Sequence, residues 1–258
     1  MSASAEAALT AVRDQVSEAE WQVRVDLAAA YRLVAHFGWD DLVFTHVSAR
    51  VPGHQEHFLI NAYGLLFEEM TASSLVKVDL GGEKVLDSAY PINPAGFVIH
   101  SAVHEARHDV GCVLHTHSKS GVAVSTQADG LLPLSQTSLF AYATLAYHDY
   151  EGVALNDGEK PRLVADLGNN NALMLRNHGL LTTGATIADA FLMMYVFETA
   201  CEIQVMAQSS GAELIQVPQP IVEGIQAQAE QATKGLGGQL IWPGLLRKLD
   251  RADSTFRE

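Results

Sequence analysis

The sequence predicts an α/β protein built on a layered sheet whose strands are not all parallel. Two observations predict it. Short apolar, β-branched runs are separated by tight turns, and Gly81-Gly82 between the runs at 76–80 and 84–86 marks a hairpin, which joins antiparallel strands. Segments with helical periodicity lie before, between and after these runs, so helices must cover the sheet. A third observation concerns capacity: 48% hydrophobic residues against 18% charged in 258 residues is ample core for one large or two small domains.

The first element is a helix over residues 18–37. Ser17 and Glu20 suggest a capping box, Val23, Leu27, Tyr31 and Val34 trace one apolar face, and Gly38 supplies the stop. Strands are expected at 42–51, 58–61, 76–80 and 84–86. Asn93-Pro94 then starts a helix running to about Arg107. The run Val110-Gly-Cys-Val-Leu114 leads as a strand into His115, followed by a short helix at 119–126, a strand at 145–149 and a helix at 161–167. Strands at 172–176 and 180–183 bracket the turn Asn177-His178-Gly179. A long helix over 187–209 buries Phe191, Met194, Phe197 and Cys201. Residues 1–234 read as one domain and 235–258, rich in glycine with Trp242-Pro243, as a C-terminal arm packed on itself or on a neighbouring subunit.

A formal net charge of −14 disfavours a nucleic-acid partner and an anionic membrane surface. No apolar run is expected to be long enough to span a bilayer. Residues 1–10 lack the basic and apolar blocks of a leader, and Cys112 and Cys201 read as reduced core residues, so the expected location is the cytoplasm.

Val113-Leu-His115-Thr-His117-Ser carries the chemistry. Residues two apart on a strand share a face, so His115 and His117 point the same way. A third imidazole from the His178 turn would complete a three-nitrogen shell with one position open, as a catalytic metal requires. A competing motif, His104-Glu105-Ala106-Arg107-His108, matches the helical zinc-protease pattern. Arg107 is charged, Asp109-Val110-Gly111 ends the helix, and no third ligand follows at the usual spacing. His100, His104 and His108 therefore read as a polar helix face. On the strand around His46, alternation places His46, Ser48 and Arg50 on one face, where Ser48 and Arg50 suit an anion. Tyr63 and Gly64 follow another strand, and Gly64 permits close backbone approach to a ligand. Tyr147, His148 and Tyr150 end a strand as a candidate pocket wall.

In this order the segments resemble the class II aldolase/adducin head family: Thr45-His46-Val47-Ser48-Ala49-Arg50, Asn61-Ala62-Tyr63-Gly64, residues 71–79, His115-Thr-His117 and Asn177-His178-Gly179. The resemblance implies a three-layer αβα sandwich around a mixed, largely antiparallel sheet, a homotetramer, and zinc on His115, His117 and His178. The ligand types also admit ferrous iron or manganese. The residues expected to contact substrate are His46, Ser48, Arg50, Tyr63 and Gly64. The family's serine-serine-glutamate segment is replaced by Pro94-Ala95-Gly96, so the usual acid/base is missing and phosphate donors are few. Tyr150, His148 and His46 are the candidates for proton transfer. The expected activity is a metal-dependent lyase, aldolase or decarboxylase in type, on a small non-phosphorylated hydroxy- or keto-acid. The alternatives are a non-haem iron oxygenase on this scaffold or a non-catalytic adducin-like interaction module.

Overall fold

A computed structural model describes residues 12–258, so residues 1–10, read above for a leader, lie outside the described residues. Seven strands form one sheet: β1 (His46–Arg50), β2 (His57–Ile60), β3 (Val76–Asp79), β4 (Cys112–Thr116), β5 (Leu145–His148), β6 (Ala172–Leu175) and β7 (Gly179–Gly184). Their spatial order is β3-β2-β1-β4-β7-β6-β5, and every neighbouring pair is antiparallel except β5 with β6. The sheet is mixed and largely antiparallel, as expected.

Helices α1 (Glu18–Phe37) and α6 (Ile187–Ser209) cover one face; α2 (Pro94–Ala106) and α5 (Lys160–Leu167) cover the other. Between them run α3 (Lys119–Ser125) and α4 (Gln136–Tyr142), and α7 (Gln219–Thr233) and α8 (Trp242–Ala252) follow. The alternation on β4 shows how the layers divide. Cys112 and Leu114 join the core made by α1 and α6, while Val113 packs with Ile99 and Val103 of α2 and Leu163 and Leu167 of α5. Both faces of β4 are covered, and all five of its residues are buried.

Helix α1 begins at Ser17, whose Oγ accepts from the Glu20 N–H at 3.1 Å. The expected capping box is half formed. The Glu20 carboxylate turns inward instead, accepting from Arg24 Nε at 3.0 Å and Lys77 Nζ at 2.8 Å. Arg24 is buried and its Nη1 donates to the carbonyls of Ala72 and Leu75. A buried charge needs such pairing, and here it ties α1 to the segment leading into β3.

Several boundaries differ from expectation. β1 begins at His46 because Leu42 adopts a left-handed φ of +51° in a turn where the Phe44 N–H bonds the Asp41 carbonyl. The hairpin after β3 closes with one bridge, Val78 to Lys84, in place of a strand. Helices α4 and α7 went unanticipated. α4 is one short turn pair capped by Ser135, and α7 buries only Val222 and Ile225 among glutamines and alanines. Residues 235–258, expected as an arm packed on itself or on a neighbouring subunit, lie on the chain's own α1: Trp242 is buried with Nε1 donating to Asp26, and the Ala72 N–H bonds the Phe256 carbonyl. Against the expectation that no apolar run is long enough, α6 could cross a membrane by length and composition alone. Phe191, Met194, Phe197 and Cys201 instead bury one side of it against the sheet.

Tyr31 joins three elements. Its buried hydroxyl accepts the N–H groups of Val47 (2.8 Å) and Asn61 (3.1 Å) and lies within donating reach of the Val47 carbonyl and Asn61 Oδ1. Tyr31→Phe strands two buried N–H donors. A loss of about 2–4 kcal/mol is expected, read as a lowered urea midpoint; an unchanged midpoint would show that water replaces the hydroxyl.

Candidate functional site

His115 is the fourth residue of the buried strand β4, His117 follows the strand's last residue, and His178 sits in the three-residue turn between β6 and β7. The turn is possible because Asn177 takes a left-handed φ of +56° and Gly179 presses against β4, where a Cβ would lie 2.3 Å from the Thr116 carbonyl oxygen. One nitrogen from each of the three imidazoles falls within 4.8 Å of the others.

Their second nitrogens decide what the cluster can hold. His115 Nδ1 donates to the Leu180 carbonyl at 2.8 Å, and His117 Nδ1 lies 3.1 Å from the Asp41 carboxylate. Both imidazoles therefore direct a bare Nε2 lone pair inward, and these two atoms are 2.8 Å apart. Two facing lone pairs repel unless a cation lies between them. Carbonyl and carboxylate partners behind the ligands are what a metal-binding imidazole ordinarily has. Burial, then the neighbouring imidazoles, hold His115 well below the usual imidazole range and push His178 down to about 4, so both are bare at neutral pH. The residues fit a divalent metal.

The cluster opens into a pocket of about 520 Å3 whose walls include His46, Tyr63, Asn93, Tyr150 and Val153, with His117 and His178 at its base. A larger cavity of about 650 Å3 lies against α6 and α7, on the face of the sheet away from the imidazoles. The Tyr150 ring centroid is 6.2 Å from that of His178. His46, directly opposite His115 across the β1–β4 ladder, brings its ring to 5.0 Å. His46 and Tyr63 thus line the pocket, and Gly64, in a turn with φ of +106°, lies next to Tyr63 without lining it.

Three expected site residues lie elsewhere. Ser48 is buried between His100 and His104 and bonds both. Arg50 spends four of its five N–H donors on the carbonyls of Gln55, His104, Arg107 and Val110, and it does not line the pocket. His148 is fixed between Asp166, 2.7 Å from Nδ1, and Glu159, 3.4 Å from Nε2, behind the pocket wall. The expected polar face of α2 is also corrected. His100 and His104 are fully buried against β1, and His108 lies beyond the helix end, exposed. The protease-like motif therefore forms no metal cluster among the described residues.

Sequence reasoning missed Asp41 and Glu198, and it missed that Asn93, expected to start α2, also lines the pocket. The Asn93 side chain caps α2 by accepting from Ala95 and Gly96. Glu198 of α6 accepts from Thr116 Oγ1 at 2.5 Å and from Ser118, gripping the ligand strand from its other face. Burial pushes its carboxyl up to about 7. The alternation of His115 and His117 with two hydroxyl residues was the available signal for such a partner.

Comparison with known proteins gives concordant matches. The family model described as Class II Aldolase and Adducin N-terminal domain matches residues 25–205. A Pseudomonas aeruginosa protein provisionally named as a class 2 aldolase is 64% identical over 250 residues, 96% of each chain. Mouse alpha-adducin is 45% identical over 192 residues, 73% of this chain and 26% of that protein. The crystal structure of an aldolase II superfamily protein from Pseudomonas syringae superimposes with a TM-score of 0.91 at 52% identity, covering 96% of this chain and 100% of that one. An L-fuculose 1-phosphate aldolase from Glaciozyma antarctica gives 0.79 at 28% identity, with 93% of each chain covered.

Two outcomes follow from this geometry. Replacing His115, His117 or His178 by Ala should weaken zinc binding by more than the roughly 10–100-fold expected for the supporting Asp41→Ala. Zinc per subunit after equilibrium dialysis checks this, and unchanged stoichiometry in all three variants would refute the site. The second outcome concerns pH. Burial holds His46 and His100 well below the usual range and pushes His104 down to about 3. Their folded-state values lie below the unfolded one, so the unfolded chain takes up protons first as pH falls. The stability they contribute is complete above about pH 6.5 and erodes below it, by up to ~2 kcal/mol per imidazole at pH 5. Urea midpoints of metal-free protein at pH 7.5 and 5.0 should differ accordingly; equal midpoints would mean that the imidazoles accept protons in place.

Proposed function

The chain belongs to the Class II Aldolase and Adducin N-terminal domain family, and on that premise we propose a metal-dependent carbon–carbon lyase, aldolase or decarboxylase in type, whose substrate is a small non-phosphorylated hydroxy- or keto-acid. The observation that carries this reading is the pair of inward lone pairs on His115 and His117 beside His178, at the base of a substrate-sized pocket. These three residues would hold zinc, and the ion would supply Lewis-acid polarisation of a substrate carbonyl.

The pocket walls set the substrate class. A phosphate dianion needs several donors in one place. At the start of α2, Pro94 has no N–H, and the N–H groups of Ala95 and Gly96 face Asn93 Oδ1. Arg50 and Ser48 point away, and the described residues lining the pocket include neither Lys nor Arg. The Tyr63 and Tyr150 side chains line the pocket and remain to orient a carboxylate, and in this reading the Tyr150 hydroxyl moves the proton. Phe44, Tyr150, Val153 and Leu155 are large apolar side chains that line the pocket and are exposed. Such a patch supports a homotetramer in which a neighbour covers the entrance. The buried free thiols of Cys112 and Cys201 suit the cytoplasm. The likeness to alpha-adducin favours a second reading, an interaction module without catalysis; a complete imidazole trio is unneeded there.

Zinc-loaded protein should cleave a non-phosphorylated hydroxy- or keto-acid and leave L-fuculose 1-phosphate untouched, measured by product release, with His178→Ala lowering the rate at least about 100-fold. Efficient cleavage of the sugar phosphate, abolished by His178→Ala, would overturn the substrate class.

A further inference from the structure

Buried polar groups run from the pocket into the molecule between β1 and α2. His46 Nδ1 is 2.7 Å from His100 Nε2, His100 Nδ1 is 2.5 Å from Ser48 Oγ, and Ser48 Oγ is 2.8 Å from His104 Nε2. His104 Nδ1, the far end, is buried without a hydrogen-bond partner. Arg50 lies at that end and donates to the His104 carbonyl at 2.6 Å.

Each of these contacts shares one proton, so with the Ser48 hydroxyl donating along it a chain of neutral imidazoles has two arrangements; were Ser48 to accept from both helix imidazoles, its own buried O–H would lose its acceptor in the chain. In the first, His104 Nε2 donates to Ser48, Ser48 to His100 Nδ1, and His100 Nε2 to His46 Nδ1. His46 then carries its proton on Nε2. In the second, every bond reverses, His46 Nε2 is bare, and an N–H is stranded on His104 Nδ1. Orphaned buried N–H groups are rarer than orphaned acceptors, which favours the first. The guanidinium of Arg50 favours it too, because a permanent positive charge at that end repels an N–H and attracts a lone pair.

The aim of His46 is equally constrained. A Cβ at Gly96 would lie 2.4 Å from His46 Cδ2 and 2.9 Å from Nε2, so the ring occupies space that only glycine leaves. With Nδ1 bound to His100, the Nε2 edge is left for the pocket that His46 lines.

We propose that His46 presents a fixed Nε2–H donor to the substrate oxygen that gains negative charge, and that Ser48, His100, His104 and Arg50 are positioning residues setting its tautomer. The inference rests on the lyase reading for the identity of that oxygen. Such a donor acts where charge develops and needs no reorganisation at the moment of reaction.

Nitrogen-15 NMR of protein labelled at histidine distinguishes a protonated ring nitrogen from a bare one, and His46→Gln assigns the signals. Wild-type protein, metal-free and zinc-loaded, should show His46 protonated at Nε2 and bare at Nδ1. Ser48→Ala and, as a second variant that keeps the hydroxyl, Arg50→Gln should move His46 toward the other tautomer. In zinc-loaded protein, the same variants should weaken glycolate binding about tenfold, the loss of one charge-assisted hydrogen bond, with zinc affinity unchanged. A bare His46 Nε2 in wild type, a zinc-dependent shift marking it as a metal ligand, or an unmoved tautomer in both variants would overturn the proposal. The tautomer is read without turnover, so the expected tautomer in a protein lacking lyase activity would count against the function alone.

Discussion

The covering of β4 on both faces is the constraint from which the site follows. A strand buried on both sides must satisfy each polar side chain on the side to which it points. His115 and His117 turn to the α2 side, where Leu180 and Asp41 fix their outer nitrogens. Thr116 and Ser118 turn to the α6 side, where the one carboxylate of Glu198 takes both hydroxyls. A register slip of one residue would put imidazoles on Glu198 and hydroxyls at the metal position, so the alternation is fixed twice over.

Helix α2 meets β1 through a match of two periods. Four residues of helix rise about 6.0 Å and two residues of strand about 6.7 Å. His100 and His104 therefore come level with His46 and Ser48, and one hydroxyl bonds both helix imidazoles. Gly96, one turn earlier on α2, lets the helix approach closely enough for this pairing. The absent side chain at 96 and the imidazole at 46 belong to one packing solution.

Much of this was legible in the residues. Alternation through His115 and His117, the turn at His178, the Asn93-Pro94 start of α2 and the whole of α6 read correctly because each rests on local periodicity or a local cap. Ser48 and Arg50 did not. Alternation says that they share a face with His46, but not that a helix 50 residues onward in sequence covers that face. The same gap misread His100 and His104 as a solvent stripe. A polar helix face looks identical whether water or another polar face lies opposite it. Asp41 was illegible for a different reason, since its position depends on a left-handed Leu42 that no propensity favours. The glutamines and alanines of α7 carry almost no apolar stripe, so that helix had no signal to read.

The docking of α1 has a consequence for synthesis. Arg32 bonds Asp253 and Thr255, and Trp242 bonds Asp26, pairings that join positions 216 to 223 residues apart. The carbonyl of Phe256 reaches Ala72, in the same segment that Arg24 grips. At about 5–20 residues per second of translation, roughly ten to forty seconds separate the emergence of α1 from that of these partners. During that interval the apolar flank of α1 lacks the cover that Trp242 and Phe256 later give it, and faster elongation shortens its exposure.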